Sequence, residues 1–410
     1  MLNGSYKDKE IITLTDMREF IGQTQTGKMS EEDLLNIEKR ALPTYGTCAM
    51  LGTANSMSCL AEVLGLALPN SCTAPAVSAE KRRFAKKSGK RAVEMIKENL
   101  TVRKILTREA LLNGISAVMA MGSSTNTVLH LMSIANEAGI SLSLRDFDEV
   151  SKKVPYICNL KPSGKYPVQE LHERGGLPVV LKAIEKQLCD GHMTVTGKTI
   201  KENIKDVKIV EDDLIYPIDK PKNRDGGIAV LYGSLAPNGA VVKKSGVKPS
   251  MYQFTGRARV FHSMEDASAA VSGDQIKEGD VIVIRYEGPK GGPGMREMHM
   301  TTSLIVGRGM DESCALVTDG RFSGSTRGPC IGHISPEAAA GGPIAAVEDG
   351  DRIIIDIPAG RLDLDVPDEV IQDRLKHVKP CEKEATPALR KYAALVSSAD
   401  KGAVLEIPKK

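Results

Sequence analysis

Residues 280–286 read DVIVIRY, and residues 352–357 read RIIIDI. Both stretches are rich in β-branched residues and lie between glycine and proline turns, a composition that is typical of strands. Similar short runs follow the same pattern at residues 228–232, 240–242, 257–261 and 314–318. Several short strands at such spacing predict a β-barrel or sandwich from about residue 205 onward, with short helices at 264–273 and 336–340.

Helical patterns dominate the chain before residue 205. The predicted helices lie at 30–41, 56–66, 78–99, 107–121, 124–138 and 168–188, the last one broken near residues 175–178. A further helix is predicted at 384–397. The fold class is therefore α/β, and the predicted domains are an α/β domain at 1–204, a β-barrel-like domain at 205–380, and a helix and tail at 381–410 that pack on the first domain.

The composition excludes several classes of protein. The 410 residues are 41% hydrophobic and 26% charged, with a net charge of +3, so neither nucleic acid nor an acidic membrane is predicted as a partner. The sequence contains no apolar run near the ~20 residues of a spanning helix and no signal-peptide pattern at its start, and a cytoplasmic protein is expected. Eight irregularly spaced cysteines do not predict a disulfide framework.

Residues 46–57 (GTCAMLGTANSM) form the first segment with a composition suited to chemistry. Cys48 lies in a small-residue loop that leads into a helix, where helix amides favour a thiolate, the form that binds iron. The alternative is that Cys48 is a buried small hydrophobic residue. Cys48, Cys59 and Cys72 are separated by eleven and thirteen positions, which matches no zinc or ferredoxin pattern, so they are not predicted to form a complete metal site among themselves.

The second and third segments combine glycine with polar residues. Residues 122–126 (GSSTN) precede a helix, so their hydroxyls and amides could hold a carboxylate or phosphate, or serve only as a helix cap. Residues 288–298 (GPKGGPGMREM) form a loop of fixed path that presents Glu297, a ligand suited to Mg²⁺ or else a solvated side chain.

Residues 318–328 (TDGRFSGSTRG) form the fourth segment, which follows a predicted buried strand. Arg321 and Arg327 could clamp a carboxylate, because a guanidinium matches carboxylate geometry. Ser323 is the candidate for a special role, although no GxSxG motif surrounds it. His333 lies ten positions later, so a Ser–His pair stays open on the sequence alone.

Long blocks of the sequence resemble the dihydroxy-acid and sugar-acid dehydratase family, and its dihydroxy-acid branch best. They are GTCAMLGTANSMSCLAEVLGLALP, GSSTNTVLHL, NLKPSGKYPVQELHERGG, VIRYEGPKGGPGMREM and TDGRFSGSTRGPCIGHISPEAAAGGPIA, in family order, with LVSSADKGAVL near the end. The resemblance runs from about residue 2 to residue 406.

The resemblance implies a hydro-lyase that converts a 2,3-dihydroxy carboxylate to a 2-oxo acid in valine and isoleucine biosynthesis. It implies an iron–sulfur cluster held by three cysteines, with [2Fe–2S] expected over [4Fe–4S], a Mg²⁺ ion, and a homodimer when intact. By matching position, Cys48 is a cluster ligand, Glu297 a Mg²⁺ ligand and Ser323 the base, which a nearby metal ion could activate without a histidine. The predicted substrate-binding residues are Ser123, Ser124, Thr125, Asn126 and Arg321.

One departure from the family pattern is large. Family members carry a preceding segment with two further cluster cysteines, one in a Cys-Asp-Lys block, and with more Mg²⁺ ligands; no such tripeptide occurs here. The first domain is therefore expected to be truncated and the isolated chain inactive. Two alternatives stay open, namely a non-catalytic remnant or partner subunit, and a dehydratase of a sugar acid or 6-phosphogluconate.

Overall fold

The computed structural model describes residues 1–209, 212–379, 381 and 383–407, with only the main chain described at residues 10 and 11. The predicted domain limit at 380 and the last residues of the predicted tail lie outside these ranges. None of the described helices is long and apolar enough to cross a lipid bilayer.

The first half of the chain is mainly helical. A small antiparallel hairpin, β1 (Gly4–Tyr6) and β2 (Lys9–Ile12), precedes the helices. They are α1 (Leu14–Gln25), α2 (Glu31–Glu38), α3 (Thr53–Val63), α4 (Ala79–Lys97), α5 (Val102–Ile105), α6 (Arg108–Met121), α7 (Asn126–Ala138), α8 (Leu144–Ser151), α9 (Val168–Glu173), α10 (Leu177–Ala183) and α11 (Ile200–Asn203).

The second half of the chain is built on eight strands. They are β3 (Ala229–Leu231), β4 (Gly239–Val242), β5 (Gln253–Phe261), β6 (Asp280–Ile284), β7 (Ala315–Thr318), β8 (Cys330–Ser335), β9 (Arg352–Asp356) and β10 (Arg361–Leu364). Four helices accompany them: α12 (Met264–Ser272), α13 (His299–Arg308), α14 (Asp368–His377) and α15 (Pro387–Leu395).

The eight strands form one mixed sheet in the order β10-β9-β5-β6-β7-β8-β4-β3, with β5 to β8 parallel to one another. The two edges of this sheet meet just after β3. Tyr232 N–H donates to the carbonyl of Gly360 at 2.8 Å, and Leu362 N–H donates to the carbonyl of Tyr232 at 2.8 Å. The sheet is therefore nearly closed, and the predicted α/β class with a barrel-like second half is confirmed.

Strand β6 lies between two apolar cores. Val281 and Val283 face the core that β9 and β10 share, whereas Ile282 and Ile284 face a second core under α12 and α13. All four side chains are fully buried, as expected for a parallel strand covered on both faces. This double burial explains the continuous apolar run in the sequence.

The larger core of the first half also receives residues from the sheet. Ile228, Val230 and Val241 pack with α6, α8 and α10 side chains, so β3 and β4 contribute to both halves of the molecule. The division into domains at residues 204 and 380 stays a prediction.

Most predicted helices are present with small changes at their ends. The predicted Ser30 cap of α2 accepts a hydrogen bond from Asp33 N–H, and the predicted helix 168–188 is broken into α9 and α10 as expected. Predicted segment 336–340 is a short 3₁₀ turn at Ala338–Ala340 instead of a longer helix, because Pro336 follows a strand directly. The sequence did not predict helices α1, α5, α8, α11, α13 and α14 or strands β1, β2, β8 and β10.

Candidate functional site

Thr53, the first residue of α3, connects three parts of the chain. Its Oγ1 accepts a hydrogen bond from Asn126 Nδ2 at 2.9 Å and from Gly324 N–H at 3.3 Å. It also lies 3.0 Å from Ser124 Oγ. One hydroxyl therefore holds the first, second and fourth predicted segments together, although Thr53 and Gly324 lie 271 positions apart in sequence.

Backbone packing makes the same connection. Gly324 lies so close to α3 that a Cβ there would meet Gly52 Cα at 2.8 Å and Ser124 Cβ at 2.8 Å. Neither neighbour can move without shifting a helix end. Glycine at position 324 therefore allows the serine loop to reach the start of α3.

A polar chain joins the second, third and fourth segments. Asn126 Nδ2 donates to Glu297 Oε1 at 2.6 Å, and Arg321 Nη1 donates to Asn126 Oδ1 at 3.3 Å. Glu297 and Arg321 also pair through their main chains and lie 3.9 Å apart at their charged ends. The structure thus brings together Asn126, Glu297 and Arg321, three of the predicted site residues.

The predicted base, Ser323, is half-buried and has a defined partner. Ser325 Oγ donates to Ser323 Oγ at 3.1 Å, and Ser325 N–H donates to the same oxygen at 3.4 Å. Two donors directed at one oxygen favour negative charge on it. In the described part of the chain His333 Nε2 has no hydrogen-bond partner, so the Ser–His pair left open by the sequence is not formed.

The segment at 122–126 is more deeply buried than a simple substrate-binding loop requires. Ser123, Ser124, Thr125 and Asn126 are each 3% exposed or less. Ser124 N–H donates to Ser56 Oγ at 3.1 Å, and Ser124 Oγ accepts from Asn126 N–H at 3.2 Å. These groups position the two neighbouring segments, and their contact with a substrate stays a prediction.

Cys48 lies in the wall of a cavity of about 190 Å³. Asn55, on α3, donates to the Cys48 carbonyl at 2.5 Å and to the Met50 carbonyl at 2.8 Å, which fixes the loop. The cavity is lined by Met1, Gly46, Thr47, Cys48, Ala49, Asn55, Ser58, Cys72, Thr73, Ala74, Pro75, Ala76, Lys81, Val168 and Gln169. Cys48 is a partly exposed free thiol, which is compatible with a ligand and unlike a core residue.

Two buried carboxylates fix the glycine-rich loop at 288–295. Glu337 accepts hydrogen bonds from Lys290 N–H at 2.9 Å and from Gly291 N–H at 2.8 Å, and burial raises the pKa of this carboxyl to about 7. Asp319 accepts from the N–H groups of Tyr286 and Glu287, each at 3.0 Å, and burial raises its pKa as well. The loop that carries Glu297 is therefore held rigidly at its start.

A buried lysine lies behind the serine loop. Lys243, on the turn after β4, is 4% exposed, and its Nζ donates to the Gly324 carbonyl at 2.7 Å. Burial lowers the pKa of Lys243 to about 7. This contact fixes the residue that follows Ser323.

Neither implied metal group has a complete ligand set in this part of the protein. A three-cysteine cluster needs three thiolates in one place, yet no group of three His, Cys, Asp or Glu side chains suited to a metal occurs among the described residues. The Glu297 carboxylate is occupied by the Asn126 amide and lies near the Arg321 guanidinium, whereas Mg²⁺ needs six oxygen ligands. The residues present therefore do not fit either group by themselves.

The two halves of the chain match two family models. Residues 1–203 match the dihydroxy-acid/6-phosphogluconate dehydratase N-terminal model, and residues 213–403 match the corresponding C-terminal model. The chain therefore belongs to the dihydroxy-acid/6-phosphogluconate dehydratase family, a family of hydro-lyases, as its sequence blocks predicted.

Similar curated proteins carry the name dihydroxy-acid dehydratase. One from Acetivibrio thermocellus is 51% identical over 409 residues, which cover 99% of this chain and 74% of the relative. One from Ignicoccus hospitalis is 51% identical with the same coverage, and one from Thermodesulfovibrio yellowstonii is 49% identical over 407 residues.

Sequence reasoning missed four residues that build the site: Thr53, Asn55, Ser325 and Lys243. Thr53 and Asn55 belong to the quoted cysteine segment, and Ser325 to the serine segment, but nothing in their spacing identified them. No sequence signal identifies Lys243, because lysine is almost never fully buried unless it is paired.

Proposed function

We propose that this chain carries the substrate-deprotonating side of a dihydroxy-acid dehydratase site, which converts a 2,3-dihydroxy carboxylate to a 2-oxo acid. The supporting observation is the convergence of the predicted segments on Thr53, which places Gly324 beside Ser124 and Asn126. The names of the relatives, at about half identity over almost the whole chain, support the dihydroxy-acid branch over sugar acids.

In the proposed reaction, Ser323 Oγ takes the proton from carbon 2 of the substrate, the C–O bond at carbon 3 breaks, and the hydroxide released becomes water with the proton that Ser323 then gives up. The resulting enol becomes the 2-oxo acid. Ser325 supplies two hydrogen bonds to Ser323 Oγ, which stabilise its negative charge before proton transfer. Ser123, Ser124, Thr125, Asn126 and Arg321 are proposed to orient the substrate, with the Arg321 guanidinium facing its carboxylate.

Cys48 is proposed as one ligand of an iron–sulfur cluster, of [2Fe–2S] type, and Glu297 as one ligand of Mg²⁺. Both groups need further ligands that the described residues do not place beside these two. We therefore expect the purified 410-residue chain to bind substoichiometric iron and not to dehydrate 2,3-dihydroxyisovalerate. Iron and sulfide analysis, with an assay for 2-oxo acid, checks this, and robust turnover with a stable brown cluster would overturn it.

A split-protein experiment tests the function itself. The chain would be co-expressed with the part of the Acetivibrio thermocellus relative that this chain does not cover, in a bacterium lacking dihydroxy-acid dehydratase. Growth without valine and isoleucine is expected with the wild-type chain and not with Ser323→Ala. Equal growth of the two would contradict the role of Ser323, and growth of neither would count against the dehydratase proposal.

Substrate choice can be measured with the same pair of polypeptides after purification. The expected order is 2,3-dihydroxyisovalerate well ahead of gluconate and 6-phosphogluconate, and the reverse order would favour the sugar-acid alternative. We also propose that the intact protein is a cytoplasmic homodimer that binds a small molecule and neither nucleic acid nor membrane. Sedimentation of the reconstituted protein tests the dimer.

A further inference from the structure

Two thiols meet on the wall of the Cys48 cavity. Cys59, on α3, is 3% exposed, and its Sγ lies 3.7 Å from Sγ of Cys72, which is in the loop after α3. Both are free thiols, and Cys72 lines the cavity that also contains Cys48. Neither Cys59 nor Cys72 has a role in the candidate dehydratase site.

The protein holds this pair in place through a buried carboxylate. Glu62 is 4% exposed and follows Cys59 by one helical turn, so both side chains lie on the same face of α3. Glu62 Oε1 accepts from Asn70 N–H at 2.7 Å, and Oε2 accepts from Cys72 N–H at 3.0 Å. Glu62 therefore fixes the loop that carries Cys72, and it lies next to Cys59 on the same face of α3.

Two more contacts anchor the same loop from outside. Lys81 Nζ donates to the Ser71 carbonyl at 2.8 Å, and Thr73 Oγ1 lies 3.0 Å from His172 Nδ1. The residues on both sides of Cys72 are thus held by α4 and α9. The main chain at Cys72 is therefore held in place beside α3.

The geometry points to an oxidative modification site: we propose that hydrogen peroxide converts Cys59 and Cys72 to a disulfide. A disulfide joins its sulfurs at about 2.05 Å, so the two sulfurs, now 3.7 Å apart, have to approach by about 1.6 Å. Cys72 borders the open cavity and can meet the oxidant, whereas Cys59 is covered. Cys72 is therefore the sulfur oxidised first, and Cys59 the one that resolves it.

The disulfide forms in two chemical steps. The Cys72 thiolate attacks one oxygen of hydrogen peroxide, the O–O bond breaks, and a sulfenic acid and one water form once a proton is taken up. The Cys59 sulfur then attacks the Cys72 sulfur, the S–O bond breaks, and hydroxide leaves with the Cys59 proton as a second water. The two thiols together lose two electrons, and peroxide gains them.

Burial and the neighbouring Cys59 and Glu62 raise the pKa of the Cys72 thiol, so little thiolate is present at neutral pH. Oxidation is accordingly slow, and selectivity comes from the position of the two sulfurs. The resulting disulfide would tie the cavity wall to α3, the helix that carries Thr53 and Asn55, while Cys48 stays a free thiol.

Peptide mapping of the complete 410-residue chain tests the proposal. The reduced chain is treated with hydrogen peroxide, its remaining thiols are alkylated before digestion, and linked peptides are identified by mass spectrometry. The expected product joins the Cys59 and Cys72 peptides, lowers the mass by two hydrogens, and leaves six of the eight thiols free to be alkylated after unfolding.

Variants separate the pair from general oxidation. Cys59→Ser is expected to leave Cys72 as a sulfenic acid that dimedone traps, and Cys72→Ser is expected to prevent the linkage. The matched controls Cys158→Ser and Cys330→Ser remove other buried thiols and should give the same linked peptide as the wild type. A Cys48–Cys72 linkage, or equal alkylation of Cys59, Cys72 and Cys158 after treatment, would overturn the proposal, and both readouts come from the wild-type chain.

Discussion

At the scale of single residues, the site depends on a few polar atoms that each serve several partners. Thr53 Oγ1 has three partners, and Asn126 uses both ends of its amide to join Thr53, Glu297 and Arg321. A hydroxyl or amide that bonds to several partners holds other segments of the chain in place as well as its own. Removing it leaves several buried groups without a partner, which costs more than one hydrogen bond.

Thr53→Val tests this dependence. The variant keeps the shape of the side chain but removes the acceptor of Gly324 N–H and one of the two acceptors of Asn126 Nδ2, so we expect a loss of about 1–3 kcal/mol in the free energy of unfolding. Urea denaturation measures the loss. Thr53→Ser keeps the hydroxyl and serves as the control; equal stability of the valine and serine variants would contradict the assignment.

Lys243 predicts a pH dependence of stability. Its pKa is lowered from 10.5 in the unfolded chain to about 7 in the folded one. Between these values the folded chain binds fewer protons than the unfolded chain, so this group makes stability rise with pH, by at most about 1.4 kcal/mol per pH unit. Below pH 7 both states are charged and the contribution is constant.

The measurement compares wild type with Lys243→Met, which keeps an unbranched side chain one atom shorter and removes the charge. The difference in unfolding free energy should shift in favour of the wild type as the pH rises from about 7 to 10. A difference that stays constant over this range would show that Lys243 is not neutralised by burial.

At the scale of secondary-structure elements, the close approach of loops to helix ends decides the site. Residue 324 lies against the amino terminus of α3, and the glycine-rich loop lies against Glu337 and Asp319. In contrast, α4 buries none of its side chains, and its Ile96 is 80% exposed. The elements around the site are therefore tightly packed, whereas α4 is held mainly by polar contacts at its edges, such as Arg91 Nε with the Val195 carbonyl.

Alanine substitutions at Gly324, which is tightly packed, and at Gly89, which is not, are expected to change the stability of the protein in opposite directions. Gly324→Ala places a Cβ 2.8 Å from backbone atoms of Gly52, so we expect a loss of about 1–3 kcal/mol in stability and displacement of the Ser323 loop. Gly89→Ala lies inside α4 with nothing within 4 Å, and should stabilise the chain by about 0.5–1 kcal/mol. Thermal unfolding of both variants checks the opposite signs, and a neutral Gly324→Ala would refute the close contact.

At the scale of the whole molecule, the candidate site lies where the two halves of the chain meet. Helix α1 from the first half packs against α13 from the second, and buried Glu19 of α1 pairs with Arg327 of the serine segment. Ala399, in the part of the chain that follows α15, packs with Leu129 of α7 and Met295 of the glycine-rich loop. Contacts between distant parts of the chain thus surround the polar cluster on several sides.

Gly307→Ala probes the contact between the halves. A Cβ at this position would lie 2.3 Å from the Glu19 carbonyl and 2.8 Å from Gly22 Cα, so α1 and α13 would have to separate. We expect a lower melting temperature and greater exposure of the Glu19–Arg327 pair, seen as faster amide exchange in α1. Unchanged exchange in α1, with Gly89→Ala as the reference variant, would contradict this packing.

The sequence determined the elements that depend on local pattern. The β-branched run of β6, the Ser30 cap of α2 and the glycine loops were predictable because each is stabilised by contacts within a few positions or by plain burial. Helices α1 and α13 were missed because their apolar faces are short and interrupted by glycine and threonine, and they are stabilised by packing on each other.

The amino-acid sequence by itself identified the family and nominated Cys48, Glu297, Ser323 and Arg321, because composition and long motifs are properties of the chain. Three contacts became visible in the folded chain alone: Thr53 joins the segments, Ser325 donates to Ser323, and Cys59 lies beside Cys72. These contacts join residues from different loops, and their distances follow from how the helices and the sheet pack. No local pattern specifies such distances, since each is set by the burial of side chains elsewhere in the molecule.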